Sequence, residues 1–163
     1  MNILVKLPTR SRPKKANEVL LSFMNNQSGK HNITYLLTTD EDDPTRWDLI
    51  TGGRIIESCG RSLSKIHAVN RDMDKVREPW DILVLISDDQ FCITQGWDDI
   101  IASHMPEHLD ACLHFNDGNR GKELNTLPIM GRARYDKFGY IYHPSYVSLW
   151  CDNASTEVHK PIY

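Results

Sequence analysis

Apolar residues follow two rhythms along this chain. Short unbroken runs, such as ILV at 3–5 and ILVLI at 82–86, alternate with stretches in which apolar positions return every three or four residues. The first kind marks buried strands and the second amphipathic helices. Residues 2–7 read as a strand closed by Pro8, and the loop 9–13 that follows carries two arginines. Val19, Leu20, Phe23 and Met24 predict a helix over 14–26. Residues 33–39, β-branched and aromatic, predict a second strand that ends in an acidic group at 40–43. Asp43 before Pro44 has the form of an N-cap and first helical position, so a short helix is expected through 50. A third strand is expected at 54–57. Ser62 or Ser64 then caps a helix with the stripe Ile66, Val69, Met73 and Val76, which Pro79 stops.

Residues 81–86 form the most apolar strand, expected to be buried on both faces, and run straight into Ser87, Asp88 and Asp89. Beyond it the pattern predicts a helix at 97–104, a strand at 111–115 and a polar, glycine-containing loop at 118–124. Short strands at 127–130 and 140–142 flank a helical turn at 132–138, and Asn153 or Ser155 caps a last helix. Strand and helix alternate through about the first 110 residues. Parallel neighbours need helical crossovers, so the expected fold is α/β: a three-layer α/β/α, Rossmann-like domain with a mostly parallel mixed sheet.

At 163 residues, one domain over 1–163 is expected, with a core large enough to fold without metal or disulfide. With 40% hydrophobic and 25% charged residues the chain is unlike a disordered one. The net charge of −3 excludes an overall basic field that would draw it to nucleic acid. No apolar run is long enough to span a bilayer, and no signal-like leader follows Met1. Four cysteines without a Cys-x-x-Cys pair read as free, mostly buried thiols in a reducing compartment, so a cytoplasmic location is expected.

In an open parallel sheet, ligands bind beyond the carboxyl ends of the strands. Polar groups gather there: Thr9, Arg10 and Arg12 after the first strand, Asp40 after the second, Asp88 and Asp89 after the fourth. Neither GxGxxG nor a Walker A loop is present. Two carboxylates at the mouth of a buried strand need compensation, which a divalent cation shared with a diphosphate supplies; a solvated turn is the simpler alternative. Arg10, Arg12 and Lys65 suit phosphates, or are ordinary surface charges. Asp40 suits a base or ribose, or with its acidic neighbours caps a loop.

In order and spacing these motifs resemble the GT-A type nucleotide-sugar glycosyltransferases, especially the family-two group. LVKLPTRSRP at 4–13, Asp40, KIHAVN at 65–70, LVLISDDQF at 83–91, GWDDII at 96–101 and HPSYVSLWCDN at 143–153 carry the resemblance, which covers most of the chain. It implies a metal-dependent, inverting transferase that moves a sugar from a nucleotide diphosphate sugar, UDP-linked, to an acceptor hydroxyl. Pro8, Thr9, Arg10, Arg12, Asp40, Lys65, Asn70 and Asp88 would then bind the nucleotide sugar. Asp89, Asp88 and His159 would hold Mn²⁺ or Mg²⁺, and Asp152 would be the general base. About 1–110 would form the donor part and about 111–163 the acceptor part. Trp97, Trp150, Tyr142 and Tyr146 are candidates for a sugar-stacking platform or for core. His143 and the Asn116, Asp117, Gly118 turn are candidates for the acceptor mouth. Two departures from the family pattern stand out: a literal Asp-x-Asp is absent, and few residues follow the last helix. Acceptor recognition is therefore expected from a small open site, a second copy or a partner domain. The rival readings are a silent sugar- or nucleotide-binding module and a sugar nucleotidylyltransferase. The glycine-free TRSRP loop argues against the second.

Overall fold

The computed structural model describes residues 1–115 and 123–159. Its strands are β1 (Asn2–Pro8), β2 (Asn32–Asp40), β3 (Ile55–Gly60), β4 (Ile82–Leu85), β5 (Cys112–Leu113) and β6 (Ile129–Gly131). Its helices are α1 (Pro13–Asn25), α2 (Lys65–Asn70), α3 (Trp97–His104), α4 (Arg132–Phe138) and α5 (Cys151–His159). Single 3₁₀ turns cover Pro44–Asp48 and Met73–Lys75. The strands form one mixed sheet in the order β3-β2-β1-β4-β6-β5. The four on the β3 side are mutually parallel; β6 runs antiparallel to both β4 and β5.

The period of two along each strand sorts its side chains into two cores. Ile3, Val5 and Leu7 of β1 and Ile82 and Val84 of β4 face α1 and α3, meeting Ala16, Val19, Leu20, Phe23, Trp97 and Ile101. Leu4, Leu36, Leu83 and Leu85 face the other way, onto Ile66 and Val69 of α2, Tyr135 of α4 and Cys151 of α5. A sheet covered by helices on both sides is the expected three-layer α/β fold. The antiparallel edge is held tightly: a Cβ on Gly131 would lie 2.2 Å from the Leu109 carbonyl oxygen, so no side chain fits there.

The structure departs from the hydrophobic pattern in four places. Ser64 caps α2, accepting from the His67 amide at 3.0 Å, but the helix ends at Asn70. Asp72 turns the chain with φ of 72°, its carboxylate held by Arg71 and Thr38, so Met73 and Val76 reach the core from a 3₁₀ turn and the segment after it. Residues 140–142 form no strand. The side chain of Asn70 takes the place of a neighbouring strand, accepting from the Ile141 and Tyr142 amides and donating to the Tyr142 carbonyl. The last helix starts at Cys151, which puts Asn153 and Ser155 inside it rather than at its cap. Finally, the four thiols are free, but only Cys151 is buried; Cys59 is exposed on the edge strand β3.

Candidate active site

A cleft of about 940 Å³ opens beyond the carboxyl ends of β1, β2 and β4. Its floor comes from Pro8, Thr9, Arg10, Arg12, Thr38, Asp40 and 85–90, and its wall from the start of α2 together with 148–152 and Tyr142. Pro8, Thr9, Arg10, Arg12, Asp40, Lys65, Asp88, Asp89 and Asp152 all line it. Parallel packing of β2, β1 and β4 explains the convergence, because three chain segments end side by side at the same edge.

At the β2 end, Asp40 stands among cations. Arg10 reaches its Oδ2 at 2.8 Å and Asp42 at 2.9 Å, while Arg71 lies 3.6 Å from Oδ1. Burial would raise the Asp40 carboxyl, but the Ser62 hydroxyl, Arg10 and Arg71 outweigh it and hold it below the usual range. Oδ1 is buried and has no hydrogen-bond partner. Arg71 is fixed from beneath by Ser62, Asp72 and the Thr39 and Gly60 carbonyls.

Lys6, fully buried in the middle of β1, donates to Thr38 and to the Arg71 carbonyl. Burial lowers its ammonium to about 7, with Asp72 acting against the shift and Arg71 with it. The apolar run at 3–7 concealed Lys6; its only signal was one charged residue on the period-two face shared with Leu4. Arg71 stood directly after KIHAVN and carried no motif of its own.

Asp88 is buried at 2% exposure, and both its oxygens are taken: Oδ1 by Arg12 at 2.9 Å and Oδ2 by the Thr9 hydroxyl at 3.0 Å. Its charge is thus compensated by a guanidinium, where the sequence suggested a cation. Asp89 points outward, exposed, with Oδ1 receiving the Ser87 hydroxyl at 2.5 Å. His159 does not line the cleft. Its ring packs edge-on to Phe138 at 5.1 Å, and burial, aided by the charge of Arg134, lowers it to about 4. Among the described residues no three His, Cys, Asp or Glu side chains come together as a metal cage. What remains fits one mode: Mg²⁺ or Mn²⁺ bound through a single carboxylate, Asp89, with phosphate and water supplying the other ligands.

The α5 wall is built differently. Asp152 sits half-buried in the first turn of α5, where a carboxylate is favoured by the helix dipole. Trp150 enters that helix with φ of 69°, a strained conformation for a bulky residue, and is 68% exposed in the cleft. Trp97 and Tyr142 are core residues, with polar tips bonded to the Phe23 and Thr126 carbonyls. Tyr146 and His143 meet edge to face, outside the cleft lining. Asn70 also lies outside it, engaged with residues 141 and 142. Lys65 is exposed in the cleft and forms no ion pair among the described residues. Asn116, Asp117 and Gly118 lie outside the described residues.

No family model and no curated protein matches the chain at the sequence level. Solved structures match its fold. The mannosyltransferase PcManGT from Pyrobaculum calidifontis, in complex with GDP-Man and Mn²⁺, superposes with a TM-score of 0.67 at 12% identity, over 94% of this chain and 50% of that one. TarS from S. aureus gives a TM-score of 0.68 at 18% identity, over 96% of this chain and 33% of that one. Its 1–349 form in complex with UDP gives 0.65 at 17%, over 96% and 54%. The chain thus spans between a third and about half of these proteins. Its six-stranded mixed sheet, with helices on both faces, is the fold of GT-A glycosyltransferases.

Proposed function

We propose that this chain transfers a glycosyl group from a nucleoside diphosphate sugar, UDP-linked, to an acceptor hydroxyl with inversion at the anomeric carbon. The observation that carries the proposal is the gathering of Thr9, Arg12, Asp40, Lys65, Asp88, Asp89 and Asp152 in one cleft at the carboxyl edge of the sheet. The base lies by Thr9 and Asp40, whose carboxylate accepts from a base N–H. Arg12, braced by Asp88, and the uncommitted Lys65 face the diphosphate. Asp89 would hold Mn²⁺ or Mg²⁺, which when bound neutralises charge growing on the leaving diphosphate. Asp152 takes the proton of the acceptor hydroxyl as that oxygen bonds to the anomeric carbon and the bond to the diphosphate breaks. Residues up to about 110 supply most of the donor side, and the later ones the acceptor side.

PcManGT with GDP-Man and Mn²⁺ and TarS with UDP support a nucleotide-sugar donor through shared fold. UDP titration with and without Mn²⁺, then a screen of nucleotide sugars for turnover, tests the reading. Metal-strengthened UDP binding and turnover of at least one donor are expected; an absence of nucleotide binding would sink it. Saturation of Asp88 by Arg12 and Thr9 favours a second reading, a binding module without transfer. UDP binding with no turnover across the screen would select it.

A further inference from the structure

A second hollow, a groove of about 410 Å³, adjoins the cleft. Leu85, Ile86, Gln90, Thr126 and Leu127 line both, so the two spaces meet at the end of β4 beside Asp88 and Asp89. The rest of the groove is mostly apolar, with Thr94 and Cys92 among Phe91, 52% exposed, Ile93, 90%, and Phe115, 40%. These side chains are not on a loose loop. The segment 90–96, which carries Phe91 and Ile93, is pinned to the last turn of α1 and the two residues after it by four hydrogen bonds: Asn26 to the Cys92 carbonyl, the Cys92 amide to Ser22, Gln95 to the Gln27 carbonyl, and the Gly96 amide to the Asn26 carbonyl. A rigid backbone that holds apolar side chains out to water marks a binding surface. At the junction, Gln90 Oε1 is buried and has no hydrogen-bond partner, an acceptor waiting for a donor.

The geometry points to this groove as the subsite for an acceptor built on an aryl group, with its apolar body between Phe91, Ile93 and Phe115 and its first hydroxyl donating to Gln90 Oε1. The inference rests on the glycosyl-transfer reading. Size is compatible with it: about 410 Å³ lies within the range of small-molecule sites. Continuity with the cleft supports it too, because a ligand seated there reaches the donor side without leaving the protein.

The test uses the whole chain with UDP present and two probes, 2-naphthyl β-glucoside and methyl β-glucoside, with binding followed by calorimetry. The naphthyl probe should bind at least tenfold more tightly. Phe91→Asp and Ile93→Asp, both on exposed side chains, should each remove that advantage while leaving UDP affinity and thermal unfolding unchanged. Gln90→Leu should weaken the naphthyl probe several-fold. Equal binding of the two probes would overturn the inference, as would a naphthyl preference that survives both Asp variants. Self-association that Ile93→Asp abolishes, with no probe binding, would assign the groove to a second copy instead. Failure of UDP to bind would count against the glycosyl-transfer reading, and the probe comparison without UDP would still judge the groove.

Discussion

The floor of the cleft and its α5 wall are made on opposite principles. On the floor most charges are already paired, Arg10 with Asp40 and Arg12 with Asp88, and beneath them Arg71 with Asp72, while Asp89 stays exposed. On the wall Asp152 is half-buried at a helix start, and Trp150 stands exposed in a strained backbone conformation. A floor fixed before binding has little left to reorganise when a charged ligand arrives. On the wall the Asp152 carboxylate accepts, among the described residues, only the Asn153 amide at 3.0 Å, which leaves its other oxygen for a further interaction. The floor therefore suits the constant part of a reaction and the wall the part where a proton moves or a second substrate docks.

The sharpest way to break that contrast is at Asp152. Asp152→Asn should lower transfer by about 10²–10⁴-fold while UDP affinity, measured by titration, stays at the wild-type value. Normal turnover by this variant would remove the wall from the chemistry. On the floor, Asp88→Ala should act first on stability. It strips charged hydrogen bonds from Arg12 and Thr9, and chemical denaturation should register a loss of about 1.5–3 kcal/mol.

Lys6 sharpens the comparison through pH. Its ordinary value is 10.5 and burial brings it to about 7, so between those limits the unfolded chain holds a proton that the folded chain lacks. Stability from this group therefore rises with pH across that window and is flat below it. Denaturation of wild type and Lys6→Met from pH 6 to 9 should show their difference moving in favour of wild type above pH 7, by about 2–3 kcal/mol. A gap that does not change with pH would mean that Lys6 does not titrate there. The smallest effect belongs to the wall again. Trp150→Gly relieves the left-handed backbone and should raise stability by about 1 kcal/mol in thermal unfolding, while transfer falls.

Most of the framework was legible because it is written in local periodicity. The buried runs at 3–5 and 82–86 and the stripe Val19, Leu20, Phe23 gave strands and helix within a residue or two of their places. The floor carboxylates were legible because strand ends in a parallel sheet converge. Pairings across the sheet were not: nothing local in Asp88 says that Arg12 will neutralise it, since the two meet only when β1 and β4 lie side by side. The same holds for Asn70, whose side chain replaces a strand partner for residues 141 and 142 and left no mark on the hydrophobic pattern. Lys6 was hidden for a related reason, because a buried lysine is intelligible only with Thr38 and the Arg71 carbonyl beside it. His159 was named through the family resemblance, as a histidine at the end of the last helix, whereas its packing on Phe138 of α4 decided where its ring went.

The position of β1 in the sheet bears on how the protein is made. Its partners are β2, which follows within about thirty residues, and β4, which begins at Ile82. As the chain leaves the ribosome, the first strand must wait half-paired until those later residues emerge. The bond between Thr9 and Asp88 closes a separation of 79 residues. Bridging such intervals is the slow part of folding. A nascent chain stopped before β4 has both arginines of its first loop and no Asp88 to set Arg12, so the floor of the cleft cannot form until the residues after β4 have emerged.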